Sequence, residues 1–235
     1  MKLKLILYFM GFVLPLFGQT VHYQHTTFWM RCVLTAPLSK KWDFYTDYIH
    51  RQQNDLGAKS PFPEPSLRQL RLWLYYKKGD FTFQINPFSY VKSFQSLGKL
   101  SDYNVPPNLE YRFAVAGEWK QTAGKFTFKE RGQYEYRLLK FFNYAAVYRG
   151  RLRGLVQYAF TDKTKLSLSE EYWYNLPPRK VHNKFDQNWL LLNVSQQLTK
   201  TFALEFGYRY STKERNSLTE FDYDNGIDIA ANFKF

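Results

Sequence analysis

The chain has 235 residues, 33 Lys and Arg against 20 Asp and Glu, a formal net charge of +13, and aromatic side chains at 20% of positions. Its mean hydropathy is negative (−0.50), and beyond the N-terminal segment no stretch reaches the ~20 apolar residues of a membrane-crossing helix. A helical membrane protein is thereby excluded, and the single cysteine, Cys32, excludes an internal disulfide.

In chain order, residues 1–18 carry Lys2 and Lys4, an apolar run from Leu5 to Phe17, and Gly18. A charged start, a short apolar stretch and a small residue at the cut define a secretory signal peptide. The mature chain is then expected to be one domain over 19–235. No cysteine follows the cut at once, which argues against a lipid anchor. For an exported chain with dispersed charges, nucleic acid is a poor partner despite the positive balance. Lipid headgroups at the rims and acidic partners inside a barrel account for the basic residues better.

The rest of the sequence alternates with period 2, the signature of strands with one apolar face. Eleven segments can be delimited, beginning with 27–35. Trp42, Phe44, Thr46 and Tyr48 oppose Asp43, Tyr45, Asp47 and Ile49, and Leu70, Leu72, Leu74 and Tyr76 oppose Gln69, Arg71, Trp73 and Tyr75. Phe81, Phe83 and Ile85 follow, then Leu109, Tyr111, Phe113 and Val115 against Glu110, Arg112, Ala114 and Ala116. Segments 126–137, 146–160 and 165–175 are noisier: Glu130 and Glu170 fall on the apolar face, where a bulge or a rim position would absorb them. Segments 187–198 and 202–211 lead to 225–235, whose apolar residues Ile227, Ile229, Ala231, Phe233 and Phe235 alternate with small or polar ones. A terminal strand ending in Phe233 and Phe235 suits the closing strand of an outer-membrane barrel, with its aromatic assembly signal at the periplasmic rim.

Connections alternate short (37–40, 77–80, 121–124, 161–164, 199–201) and long (52–65, 87–107, 138–145, 176–186, 212–222), the asymmetry of bacterial barrels. The expected fold is therefore all-β: an antiparallel up-and-down transmembrane β-barrel in the bacterial outer membrane. Since such single-chain barrels have even strand numbers, the range is ten to twelve. Twelve is favoured if residues 22–26 or 90–94 supply one more strand.

Several runs resemble a known family: Lys129-Glu130-Arg131, Tyr148-Arg149-Gly150-Arg151-Leu152-Arg153, Ser169-Glu170-Glu171-Tyr172-Trp173-Tyr174-Asn175, the strand from Trp42 to Arg51, and Phe233-Lys234-Phe235. Together they resemble the uncharacterised family known as domain of unknown function 2490. The resemblance implies an outer-membrane barrel of about this length and carries over no catalytic or ligand-binding residue.

The candidate site is the set of charges on the inward faces: Arg112, Glu118, Lys129, Arg131, Glu135, Arg137, Arg149, Arg151, Arg153, Glu171, Glu205, Arg209 and Asp228. Charges inside a low-dielectric shell must be paired or hydrated. One reading is an ion-pair network that fills and stiffens a narrow structural or accessory barrel. The other is a basic constriction, with Arg131, Arg149, Arg151 and Arg153 selecting anions. A hydrolase built on His50, or on His182 with Asp186, is the weaker third. No Gly-x-Ser-x-Gly run, metal-ligand spacing or phosphate-cradling glycine loop occurs, so no cofactor or metal is expected. Trp42, Trp119, Tyr172, Tyr174, Trp189, Tyr208 and Tyr210 read as interface anchors. The expected partners are outer-membrane lipids, the barrel-assembly machinery during insertion, and an envelope protein.

Overall fold

The computed structural model describes residues 20–56, 62–178 and 181–235; the expected signal segment lies outside them. The described residues form eleven strands and two short 3-10 helices. The strands are β1 (Val21–Pro37), β2 (Trp42–Gln53), β3 (Glu64–Lys78), β4 (Phe81–Ser93), β5 (Asn108–Ala123) and β6 (Phe126–Leu139), followed by β7 (Ala145–Ala159), β8 (Thr164–Leu176), β9 (Phe185–Gln197), β10 (Phe202–Glu214) and β11 (Glu220–Lys234). They close into one barrel in which each strand pairs with its sequence neighbours and β1 pairs with β11.

The even count expected from the sequence is thus corrected to eleven. The segments considered for a twelfth strand are absorbed into longer ones. Residues 22–26 are the first part of β1, and residues 90–93 finish β4. Strand β4 passes through Pro87, which the sequence marks as a strand end because it has no N–H for the ladder. A bulge between Asn86 and Ser89 accommodates it, and Asn86 Nδ2 supplies a donor to the Phe88 carbonyl at 3.1 Å. An odd number has a topological consequence. Each hairpin reverses the chain, so the eleventh strand runs in the same direction as the first and the closing seam must be parallel. It is, from Val21 opposite Glu220 to Thr35 opposite Lys234; every other pairing is antiparallel.

Alternation sorts the side chains inside out. Met30, Phe113, Leu192, Phe206 and Ile229 are exposed on the outer wall, Phe206 to 59%, whereas Asp47, Glu110, Glu135, Arg149 and Asp228 are buried within. That is the distribution of a barrel with a lipid-facing surface. Glu130 and Glu170 take no bulge: the ladders of β6, β7 and β8 run unbroken past them, with Gly154 opposite both. They sit on the outer wall between apolar rows. Tyr172 Oη and Asn188 Nδ2 donate to Glu170 at 2.7 and 3.1 Å.

The two rims differ. At one, the hairpins are tight: Gly79 and Gly124 each take φ of +59°, the left-handed conformation at the first central position of a two-residue turn. At the other rim lie the long connections, which gather over the mouth.

Candidate functional site and family

The lumen is built in three layers. Nearest the long loops, residues 94–107 leave β4, cross the mouth and return to β5. Gln53 anchors their start, donating to the Gln95 carbonyl at 2.9 Å and accepting from Leu97 N–H at 3.2 Å. Asp102, buried in the 3-10 turn Leu100–Asn104, accepts from Gly98 and Lys99 N–H groups at 2.8 and 3.0 Å. Arg215, from the β10–β11 loop, then ties the segment to the seam. It donates to Asp102 at 3.0 Å, to the Ser96 carbonyl at 3.0 Å and to Asp222 at 2.9 Å. His25 Nε2 meets the same Asp222 carboxylate at 2.9 Å. Lys99 pairs with Glu220, a hydrogen bond that raises the Lys99 ammonium above its usual range. The result is a lid strapped to the β1–β11 seam.

Beneath it is a charged layer. Glu110 takes Arg112 and Arg137 together, at 3.1 and 3.0 Å through its Oε2. Glu135 takes Arg149 Nε at 2.7 Å and Arg151 Nη1 at 2.8 Å. Arg149 also reaches Asp186 at 2.6 Å, and Arg151 grips Glu171 with two donors at 3.0 and 2.7 Å. Both guanidinium groups lie over the Trp173 ring, at 4.2 and 4.0 Å, a cation–π arrangement favoured when water is excluded. Strand pairing dictates the cluster: Glu135 lies opposite Arg149, and Arg151 opposite Trp173. Alongside, Arg209 binds Asp228 and lies against both Trp29 and Trp189, at 4.3 and 4.6 Å, two rings that meet edge to face 5.1 Å apart. Trp189 also meets Trp173, with centroids 4.4 Å apart. Arg149 is 2% exposed and Val147 0%, so both side chains are almost wholly out of solvent at this level.

The third layer, toward the tight turns, is looser. Glu118 accepts from Arg153 at 2.8 Å and faces Lys129 at 3.4 Å. Glu205 holds Arg31 and Asn193, both at 3.0 Å. Arg131 donates to Gln133 and stacks over Trp73 at 5.1 Å, and among the described residues no carboxylate is bonded to it. A vestibule of about 390 Å³ lined by Gln197, Lys200, Asn232 and Lys234 opens at this end.

The thirteen candidate charges lie on inward strand positions; Glu118 and Glu135 each serve two basic groups, Glu171, Glu205 and Asp228 one arginine each, and Arg131 bonds Gln133 instead. Sequence reasoning left out Asp47, Arg71, Glu110, Asp186, Asp222 and Arg215. Of these, Asp47, Arg71 and Glu110 stood on the polar side of their strands, which was signal enough. Arg215 and Asp102 lie in loops, where alternation gives none. Trp189, read as an interface anchor, is corrected to a lumen residue; its odd position on β9 faces in with Asn193. His50 lies on the outer wall opposite Arg68, and His182 is exposed, while Asp186 is engaged by Arg149. Among the described residues no hydrogen bond joins His182 to Asp186, whose carboxylate serves Arg149 instead. Among the described residues no group of three or more His, Cys, Asp or Glu is placed to hold a metal ion.

A closed barrel, apolar outside and charged within, defines a transmembrane β-barrel. The chain's likeness to a NanC porin structure agrees, at 12% identity, a TM-score of 0.51, and coverage of 90% of this chain and 99% of that one. More distant are the outer-membrane expressed OmpT of Vibrio cholerae (14% identity, TM-score 0.38, 81% and 61% covered) and an anion-selective porin from Comamonas acidovorans (9%, 0.38, 83% and 53%). No curated protein matches the sequence. Within this class the chain belongs to the family described as protein of unknown function DUF2490, whose model matches residues 26–222.

Proposed function

We propose that this chain is a sealed, non-enzymatic barrel of the bacterial outer membrane, a structural or accessory component of the envelope. The observation that carries this reading is the Arg149–Glu135–Arg151–Glu171 layer. The arginines best placed to attract a passing anion are already neutralised by buried carboxylates and stacked on Trp173. A filter must leave its charges free to exchange ions; these are consumed by the protein itself. In this reading residues 1–18 are removed on export, the long loops face outward, Phe233 and Phe235 serve the assembly machinery at the periplasmic rim, and an envelope protein is the partner.

The test is single-channel recording of the mature protein inserted in a planar bilayer. Silence from inserted protein supports the sealed barrel; steady conductance overturns it. A second reading, a gated anion-preferring pore, is favoured by one feature: among the described residues no carboxylate is bonded to Arg131, which donates to Gln133 and lies over the Trp73 ring. It predicts anion-selective steps that lose their preference in Arg131→Ala.

A further inference from the structure

Three basic side chains lie on the outer wall rather than in the lumen. His50 of β2 is directly opposite Arg68 of β3, which is directly opposite Lys92 of β4. Their chain neighbours Ile49, Arg51, Gln69 and Val91 are buried on the inner face, so the three point toward lipid. Opposed Cβ atoms on adjacent strands are about 5 Å apart, and like charges so placed, as on Arg68 and Lys92, destabilise a sheet. Among the described residues no carboxylate pairs with Arg68 or Lys92; the Lys92 ammonium lies 5.3 Å from the Phe94 ring. Among the described residues nothing offsets the Arg68 and Lys92 charges, which leaves them open to an anion from outside the chain.

What it is follows from the next row. One outward position closer to the middle of the wall, the same ladders align Tyr48, Leu70, Tyr90 and Tyr111. Tyr48 and Leu70 are exposed, and rings at such a level mark the boundary between headgroups and acyl chains. The Arg68 and Lys92 cations, with the His50 imidazole beside them, stand just beyond that boundary, on the long-loop side. A soluble anion would satisfy the charges but leave the aromatic row unused. An anionic lipid fits both.

We propose that His50, Arg68 and Lys92 bind the phosphate groups of an outer-leaflet phosphorylated glycolipid, whose acyl chains lie against Tyr48, Leu70, Tyr90 and Tyr111. The site rests on the outward orientation of the long loops and is independent of whether the lumen conducts.

Native mass spectrometry of the purified barrel with lipid A as probe tests it. Wild type should retain bisphosphorylated lipid A, retain its dephosphorylated form far less, and keep the lipid when excess inorganic phosphate is added. Arg68→Gln/Lys92→Gln should retain it about thirtyfold less, while Lys40→Gln/Lys41→Gln at the opposite rim should match wild type. The slower gel mobility of heat-unfolded barrel reports that each variant is folded, and the comparison of the two lipid forms on wild type needs no variant at all. Equal retention by the Arg68/Lys92 variant, equal binding of the dephosphorylated lipid, or displacement by inorganic phosphate would overturn the assignment, the last by making it a free-anion site.

Discussion

Glu135 and Glu205 are both inward carboxylates with arginine partners, yet they should behave differently when removed. Glu135 is almost inaccessible and shared by Arg149 and Arg151, themselves buried. Replacing it by Leu leaves two desolvated cations short of a partner, and breaking a buried pair in this way costs about 3–5 kcal/mol. Glu205 faces Arg31 in the looser layer, with side chains 22% and 25% exposed, so water and neighbouring polar groups take up the loss. Glu205→Leu should cost about 1 kcal/mol or less. Urea unfolding of the two variants in lipid vesicles checks the contrast; similar midpoints would mean that the charged layer is hydrated after all. Residue type and alternation were enough to place thirteen charges inside. Which acid serves which arginine was not legible, since Glu135 reaches Arg149 and Arg151 through cross-strand register that a single sequence does not encode.

At the level of elements, the seam is the unusual feature. Native Cys32 lies on the outer wall of β1, exposed, and its register partner on β11 is Ala231. Adjacent strands lie about 4.8 Å apart, within the range a disulfide spans. The single substitution Ala231→Cys should therefore give an oxidised, intramolecularly linked barrel, seen as a mobility shift on a non-reducing gel. A barrel closed through a twelfth strand would hold these positions apart and give none. The end of β11 carries a second expectation. Phe235 is 73% exposed at the tight-turn rim, its N–H bound to the Thr35 carbonyl at 3.0 Å, while Phe233 stacks on Phe202 at 4.9 Å. Phe235→Lys should lower the yield of heat-modifiable barrel in membranes with little loss of refolded stability, because the ring supports no packed core. An equal fall in both would make it a structural residue instead.

Across the whole molecule, the sealed-barrel proposal puts two independent closures in series: the lid of residues 94–107 and the charged layer beneath. The lid is fastened by few side chains, Arg215 and Gln53 chief among them, whereas the layer is built into five strands. Deleting residues 96–103 should therefore leave the inserted protein non-conducting in planar bilayers. Current appearing on that deletion alone would move the seal to the lid and make the barrel a gated pore.

By itself the sequence determined the class. A period of 2 repeated eleven times leaves no alternative to strands, and an apolar face on nearly every one requires a surface that meets lipid. The tight turns and the inward position of most charges follow from the same periodicity, since side-chain direction in a strand is purely local. What only the tertiary structure decided is non-local. Strand number was set by whether 22–26 and 90–93 join neighbouring strands, and Pro87 obscured one junction. The parallel seam, the lid strapped by Arg215, and the inward turn of Trp189 all depend on contacts between residues distant in the chain. So does the difference between an open ring of arginines and a sealed one, because a charge is free or spent according to what closure brings opposite it.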